Sequence, residues 1–233
     1  MTLESEIEKF NKLAAEWWNP RGPMAPLHWM NPARLDFIRE NLAMHAIKPP
    51  AKGIDVGCGA GLLTEPLCRM GFSMTGLDGA ADALAAARAH AATENLSVHY
   101  REGLSETIAA EGKIYDFVTA LEIIEHVDDP AGFVESLSAI TKPGGLIFLS
   151  TLNKTLKSRM LSIWLAEHIL RALPVGTHDY EKFIAPSQLV TWLQNAGCDV
   201  LSLKGMVFKP LARQFALSDH DLDTNYILVA RKL

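Results

Sequence analysis

The sequence has few cysteines, and those few are not arranged as a framework. Its 233 residues include only three, Cys58, Cys68 and Cys198, and no two of them form a CxxC pair. An odd number without such a pair argues against a set of disulfides and against a zinc site built on thiolates. We therefore expect a protein of a reducing compartment.

The sequence also lacks a basic excess and a long apolar run. Acidic residues number 27 against 22 basic ones, for a formal net charge of −5, and the basic residues are scattered. No stripe of positive charge could follow a phosphate backbone, so nucleic acid is not expected as a partner. No stretch approaches the ~20 apolar residues of a membrane span. Residues 1–10 carry charges where a signal peptide would be apolar, so we expect a cytoplasmic protein.

Short apolar runs alternate with helical patterns after Pro50, and this alternation predicts an α/β fold. The five runs with helical patterns between them are residues 53–56, 73–77, 96–101, 114–120 and 146–150. We predict a Rossmann-like, doubly wound parallel sheet that binds ligands at the carboxyl ends of its strands. Two later runs, residues 200–208 and 226–231, lack a helical crossover between them. They are expected to pair antiparallel and to complete a seven-stranded sheet.

Two segments lie outside this alternation. Residues 1–50 predict a helical preface, with one helix ending before Pro20 and a second running from Asn31 to about His45. Residues 153–185 predict a helical insertion or lid after the fifth strand. We expect residues 1–233 to form a single domain.

A glycine loop follows the first strand and predicts a nucleoside ligand. Gly57, Gly59 and Gly61 have GxGxG spacing, with Asp55 two residues ahead, and Asp78 ends the next strand. Glycines let the backbone approach a ligand closely, and a carboxylate in the place of Asp78 accepts ribose hydroxyls. The spacing and the charge of Asp55 favour a cationic ligand over the pyrophosphate of a dinucleotide. A tight turn without a ligand and a nicotinamide site are the alternatives.

Two carboxylates and an imidazole follow the fourth strand, namely Glu122, Glu125 and His126. If this turn is helical, the three side chains share one face at i, i+3 and i+4. They are the candidate catalytic residues and candidate ligands of Mg²⁺ or another divalent cation. A bound cation could lower the pKa of a phenolic hydroxyl, or His126 could take its proton directly. The alternative is a solvated turn that only caps the loop after it.

Several short motifs in a fixed order carry a resemblance to a known family. They are EWW at 16–18, LH at 27–28, NPARL at 31–35, DVGCG at 55–59, LEIIEHV at 121–127, STLN at 150–153 and GTHD at 176–179. Together they resemble the ubiquinone biosynthesis O-methyltransferases, a family of class I S-adenosylmethionine-dependent methyltransferases. The resemblance covers nearly the whole chain.

This resemblance implies O-methylation of polyprenylated phenol and catechol intermediates by S-adenosyl-L-methionine, at both O-methylation steps of the pathway. It implies that Arg34 clamps the cofactor carboxylate and that Leu121 contacts the cofactor through its backbone. Gly57 would line the methionine part, and Asp78 would hold the ribose. The three residues after strand four match positions proposed for a metal in relatives. His178 is a candidate substrate contact, with a helix cap as the alternative.

The insertion suggests a second partner. Lys154, Lys157, Arg159 and Arg171 flank an apolar run that contains Trp164. This pattern predicts an interfacial helix on anionic membrane lipid, with packing on the sheet edge or a dimer contact as alternatives. A lipid-soluble substrate favours a peripheral enzyme on the inner face of the cell membrane, with other quinone-biosynthesis enzymes as candidate partners. A methyltransferase for a soluble phenol and a noncatalytic cofactor-binding partner are the rival functions.

Overall fold

The structure is a computed structural model, and it describes residues 7–8, 11, 13–158, 160 and 182–233. In these residues eight strands form one sheet. The strands are β1 (Lys52–Val56), β2 (Ser73–Asp78), β3 (His99–Glu102), β4 (Tyr115–Leu121), β5 (Thr141–Leu152), β6 (Cys198–Lys209), β7 (Gln214–Ser218) and β8 (Asn225–Lys232). The helices are α1 (Ala25–Met44), α2 (Thr64–Arg69), α3 (Ala81–Thr93), α4 (Ser105–Ala110), α5 (Pro130–Ala139) and α6 (Pro186–Asn195), with short 3₁₀ turns at Ala14–Glu16 and Ile124–His126.

The strand order is β3-β2-β1-β4-β5-β8-β6-β7. Strands β1 to β5 are parallel, whereas β8 runs antiparallel to both β5 and β6. Because β1 to β5 are parallel, their carboxyl ends lie at one edge of the sheet, and the strand order reverses direction between β1 and β4. In such a sheet this edge is where ligands bind.

Helices cover both faces of the sheet, as the alternating strand pattern requires. Phe117 and Val118 are successive residues of β4, and both are fully buried because they point into different cores. The Phe117 core includes Phe37 of α1, and the Val118 core includes Val134 of α5. The predicted doubly wound fold and the antiparallel pairing of the last long strands are confirmed.

The predicted number of strands is wrong by one. Strand β7 is a five-residue edge strand that pairs antiparallel with β6 from Gly205 to Lys209. Its sequence, QFALS, is too short for a clear period-2 pattern, and Pro210 precedes it. The strand is therefore specified by its pairing with β6 more than by its own residues.

The predicted start of the second helix is also wrong. Helix α1 begins at Ala25, with Pro26 in its first turn, and Pro32 lies inside the helix. Proline fits a first turn because the N–H that it lacks would have no helical partner. Pro32 cannot donate a helical hydrogen bond, and the burial of Phe37 and Ile38 of the same helix in the core offsets this loss.

Two predicted segments lie largely outside the described residues. Only parts of the first helix of the preface are described, and they include the 3₁₀ turn Ala14–Glu16. Most of the predicted insertion 153–185, with Arg159, Trp164, Arg171 and His178, is not described. In the part of the chain that is described, no helix has both the length and the apolar character needed to cross a bilayer.

Candidate active site

A cavity of about 430 Å³ lies at the carboxyl edge of the parallel strands. Its wall includes Asp78 and Gly79 after β2, and Leu104 after β3. It also includes Leu152 at the end of β5 and Asn225 at the start of β8. Because β3 and β8 are separated by four strands, the cavity spans most of the sheet edge. Its volume suits a ligand of nucleoside size or larger.

The three glycines of the loop do not share one role. Gly57, with φ +72°, lines the cavity. Gly59 and Gly61 also have positive φ, but neither lies in the cavity wall. A side chain on Gly59 would overlap the Trp17 ring, and one on Gly61 would overlap the Tyr100 hydroxyl. Of the three glycines, Gly57 is therefore the one that could contact a ligand in this cavity, while the other two allow aromatic rings to pack against the loop.

Asp78 lies between the glycine loop and the cavity. Its Oδ2 accepts a hydrogen bond from Gly59 N at 2.7 Å, and its Oδ1 accepts one from Ala80 N at 2.8 Å. Burial raises the pKa of this carboxyl. Each oxygen can accept a further hydrogen bond, so the carboxylate is held in place and can still bind two ribose hydroxyls.

Asp55 is more deeply enclosed than predicted for a residue that binds a cationic ligand. Its oxygens accept hydrogen bonds from the hydroxyls of Thr64 and Thr119, at 2.6 and 2.7 Å. Burial raises its pKa to about 6. Asp55 thus ties β1 to α2 and β4 beneath the loop, and it contributes to the cavity wall.

Arg34 brings a buried positive charge to the cavity from helix α1. Its Nη2 lies 3.1 Å from Glu122 Oε1 and 3.0 Å from the Met30 sulfur. Its Nε is buried and receives no hydrogen-bond partner from the described residues. A cationic donor left unpaired in a cavity wall fits the carboxylate of a ligand.

Glu122 adopts a left-handed backbone conformation directly after β4, with φ +54°. Its Oε1 accepts a hydrogen bond from Ser150 Oγ at 2.7 Å, and its Oε2 accepts one from Asn225 Nδ2 at 3.0 Å. Its backbone N–H donates to Ser150 O at 2.9 Å. These contacts with β5 and β8, together with the pairing with Arg34, hold the side chain against the sheet.

Glu125 is buried, and its Oε2 accepts a hydrogen bond from Thr151 Oγ1 at 2.8 Å. Burial raises the pKa of Glu125 to about 7, and the charge of Glu122 adds to this effect. The neighbouring His126 lowers the pKa of Glu125. Glu125 and the half-buried His126 both line the cavity.

The predicted helical face of Glu122, Glu125 and His126 is wrong. Only Ile124–His126 forms a helical turn, of the 3₁₀ type, and the backbone of Glu122 is not helical. Within the described residues, no group of three or more His, Cys, Asp or Glu side chains is placed to hold a metal ion. As placed, Glu122 could bind a cation only by giving up its existing partners, so these residues do not fit the predicted metal site.

The residues do fit S-adenosylmethionine. Arg34 offers an unpaired donor for a carboxylate, Asp78 offers acceptors for ribose hydroxyls, and both line one cavity with Gly57 and Leu121. Two further residues of the cavity wall were not predicted from the sequence. Leu104 could have been, since Gly103 before it follows β3 as Gly79 follows β2. Asn225 could not, because its position in the cavity depends on the antiparallel pairing of β8.

The comparisons with known proteins agree with this geometry. A family model described as "Methyltransferase domain" matches residues 27–203, more than half of the chain. A ubiquinone biosynthesis O-methyltransferase of Dinoroseobacter shibae is 43% identical, and the match covers 96% of this chain and 93% of that protein. Its counterpart in Colwellia psychrerythraea is 42% identical, over 99% of this chain and 96% of that protein.

Solved structures share the fold at low identity. A magnesium protoporphyrin IX methyltransferase of Synechocystis with bound S-adenosylhomocysteine has a TM-score of 0.63 at 20% identity, over 86% of this chain and 82% of that one. A possible histamine N-methyltransferase of Thermotoga maritima has a TM-score of 0.67 at 16% identity, over 96% of this chain and 98% of that one. The chain therefore belongs to the ubiquinone biosynthesis O-methyltransferase family, and it is an S-adenosylmethionine-dependent O-methyltransferase.

Proposed function

We propose that this protein methylates a hydroxyl of polyprenylated catechols at both O-methylation steps of ubiquinone biosynthesis. The observation that carries the proposal is one cavity whose wall holds two kinds of polar group. Asp78 and Arg34 supply polar groups suited to a nucleoside and a carboxylate, while Glu125 and His126 supply groups that can accept a proton. A methyl donor and a hydroxyl could therefore meet in one site.

The cavity is also apolar enough for a prenylated ring. Its wall contains aliphatic and aromatic side chains, among them Met24, Leu27, Val127, Phe133, Leu152 and Phe215. Apolar walls exclude water around the reacting atoms and strengthen the electrostatic interactions there. The names of the family relatives support a substrate from quinone synthesis.

In this proposal S-adenosylmethionine supplies the electrophilic methyl group when it is bound. Asp78 would orient the ribose, and Arg34 would pair with the carboxylate through its unpaired Nε. Leu121, which ends β4 in the cavity wall, would contact the cofactor through its backbone. Alignment of donor and acceptor is then the main contribution of the protein to the rate.

We assign the proton of the reacting hydroxyl to His126. The imidazole lines the cavity, and Glu125 lies close enough for the two charges to interact. When Glu125 is ionised, its negative charge would interact favourably with the imidazolium that forms. Glu125 and Glu122 would act through this charge and through the position of the turn. His178 remains a proposed substrate contact.

We also propose that the protein docks on the inner face of the cell membrane. Leu156 and Met160, at the start of the insertion, are 69% and 65% exposed. Lys154 and Lys157 lie beside them in the chain, although Lys157 pairs with Asp221 and Asp223. Apolar side chains with lysines nearby suit an anionic lipid surface. Other quinone-biosynthesis enzymes could gather at the same surface.

A methyl-transfer assay tests the proposed function. The protein is incubated with S-adenosylmethionine that carries a labelled methyl group. One reaction contains a short-chain polyprenyl catechol, and a second contains demethylubiquinol. We expect label on one hydroxyl of each substrate, and about 100-fold less turnover for His126→Ala at pH 7. The loss should shrink above pH 9, where a phenol of pKa near 10 begins to ionise unaided.

Three results would count against the proposal. Methylation of unprenylated phenols at equal rates would favour a soluble substrate. Cofactor binding without transfer to any phenol would favour a noncatalytic partner. A loss of turnover in His126→Ala that stays constant up to pH 10 would show that His126 is not the proton acceptor. The control is His99→Ala, a change at an exposed histidine outside the cavity wall.

A further inference from the structure

Asn225 is a cavity residue to which neither the sequence motifs nor the proposed chemistry assigns a task. It is the first residue of β8, where it pairs with Leu152 of β5 and Met206 of β6. The residue belongs to the cavity wall, yet it is only 2% exposed. An asparagine enclosed this far needs partners for both ends of its amide.

One end of the amide has a partner, and that partner fixes the orientation of the group. Asn225 Nδ2 donates to Glu122 Oε2 at 3.0 Å. Glu122 also pairs with Arg34 at 3.1 Å, as an ionised carboxylate would. A carboxylate accepts hydrogen bonds and cannot donate them, so the amide must present its NH₂ to Glu122. The carbonyl oxygen therefore points away from Glu122.

The carbonyl end of the amide has no hydrogen-bond partner among the described residues. Asn225 Oδ1 is buried, and no group of the described residues donates a hydrogen bond to it. A buried amide oxygen without a donor is unfavourable, so its retention in a ligand cavity suggests that the ligand supplies the donor. Because Oδ1 is an acceptor only, that donor must be an O–H or N–H group.

We propose that Asn225 Oδ1 accepts a hydrogen bond from the hydroxyl next to the one that is methylated. This inference rests on the proposed function, in which the substrate is a catechol. The reacting hydroxyl has to lose its proton to His126, whereas an amide oxygen can accept a hydrogen bond but cannot take the proton, so it would stabilise the unreactive form of that hydroxyl. The neighbouring hydroxyl keeps its proton and can donate throughout. Asn225 is then a specificity-determining residue that selects a free hydroxyl over hydrogen or a methyl ether at this position.

The test compares two ligands and three proteins. The ligands are a short-chain prenyl catechol and the matched monophenol that lacks the non-reacting hydroxyl. The proteins are the wild type, Asn225→Ala and Asn153→Ala. Asn153 is a matched control, since it is also a buried asparagine but bonds to Leu222 O at 2.8 Å and lies outside the cavity wall. Binding to each protein loaded with S-adenosylhomocysteine is measured by calorimetry, and kcat/KM is measured with S-adenosylmethionine.

We expect the wild type to bind the catechol about tenfold more tightly than the monophenol, as one hydrogen bond to a buried acceptor allows. Asn225→Ala should lose that preference, and Asn153→Ala should keep it. A wild type without the preference, or an Asn225→Ala protein that keeps it, would overturn the inference. Should Asn225→Ala fail to fold, Asn225→Leu, which keeps a similar side-chain volume but has no acceptor, gives the same comparison. Failure of the proposed function would be seen separately, as binding of the catechol without its methylation.

Discussion

The buried carboxyl of Asp55 makes the stability of the fold depend on pH. Its carboxyl is fully enclosed by β1, α2 and β4, and burial raises its pKa from an ordinary value near 3.8 to about 6. The folded protein therefore holds this proton more tightly than the unfolded chain does. The stability contributed by the protonated group is fully present below about pH 4 and is lost as the pH rises through 6.

Asp55→Asn should remove this pH dependence. A shift of this size corresponds to about 3 kcal/mol in full, of which about 2 kcal/mol is lost between pH 4 and pH 7, so the unfolding free energy of the variant should fall by about 2 kcal/mol less than that of the wild type over this range. Urea denaturation across this range measures the difference. Asp36→Asn, at an exposed aspartate, is the control. Equal pH slopes in the wild type and Asp55→Asn would contradict the assignment.

At the scale of elements, strands could be predicted from the sequence better than turns. The runs that correspond to β1, β2, β4 and β5 are mostly apolar because both faces of these strands are buried. Local sequence was therefore enough to find them. Strand β7 was missed because it lies at the sheet edge and depends on pairing with β6.

The turn after β4 shows why the site was harder to predict than the fold. The sequence LEIIEH allows a helix, and only tertiary contacts decide otherwise. Glu122 is drawn out of helical geometry by Ser150, Asn225 and Arg34, residues that are 28, 103 and 88 positions away in the chain. The positions of Asp78 and Gly57 in the cavity wall, in contrast, were predictable because both follow from the strands β2 and β1 next to them in the chain.

The inserted segment yields a prediction of its own. We expect the double variant Trp164→Ala, Leu165→Ala to bind vesicles of anionic lipid less tightly than the wild type. It should slow methylation of a long-chain substrate more than that of a truncated, water-soluble one. Wild-type binding should weaken at high salt, because attraction of roughly 1 kcal/mol per basic residue is screened. Co-sedimentation and paired rate measurements check both effects.

Leu211→Ala is the matched control for this experiment, because Leu211 is a fully exposed leucine on the turn between β6 and β7. It should leave vesicle binding as it is in the wild type. If the double variant still sediments with vesicles and treats both substrates equally, the segment has a packing or dimer role. The membrane proposal would then be wrong.

At the scale of the whole molecule, the fold brings distant segments to one cavity. Asp78 follows β2, Arg34 comes from helix α1, and Asn225 begins β8. The central claim is that Arg34 and Asp78 bind different groups of the same cofactor. Adenosine contains the ribose of S-adenosylmethionine but has no carboxylate, so it separates the two roles.

Calorimetric binding of both ligands to the wild type, Arg34→Ala and Asp78→Ala is the most direct test. Arg34→Ala should weaken S-adenosylmethionine about 10- to 100-fold and leave adenosine within twofold, since a charge-assisted hydrogen bond to the carboxylate is lost. Asp78→Ala should weaken both ligands by similar factors. Equal losses of the two ligands in Arg34→Ala, or unchanged binding in Asp78→Ala, would contradict the account.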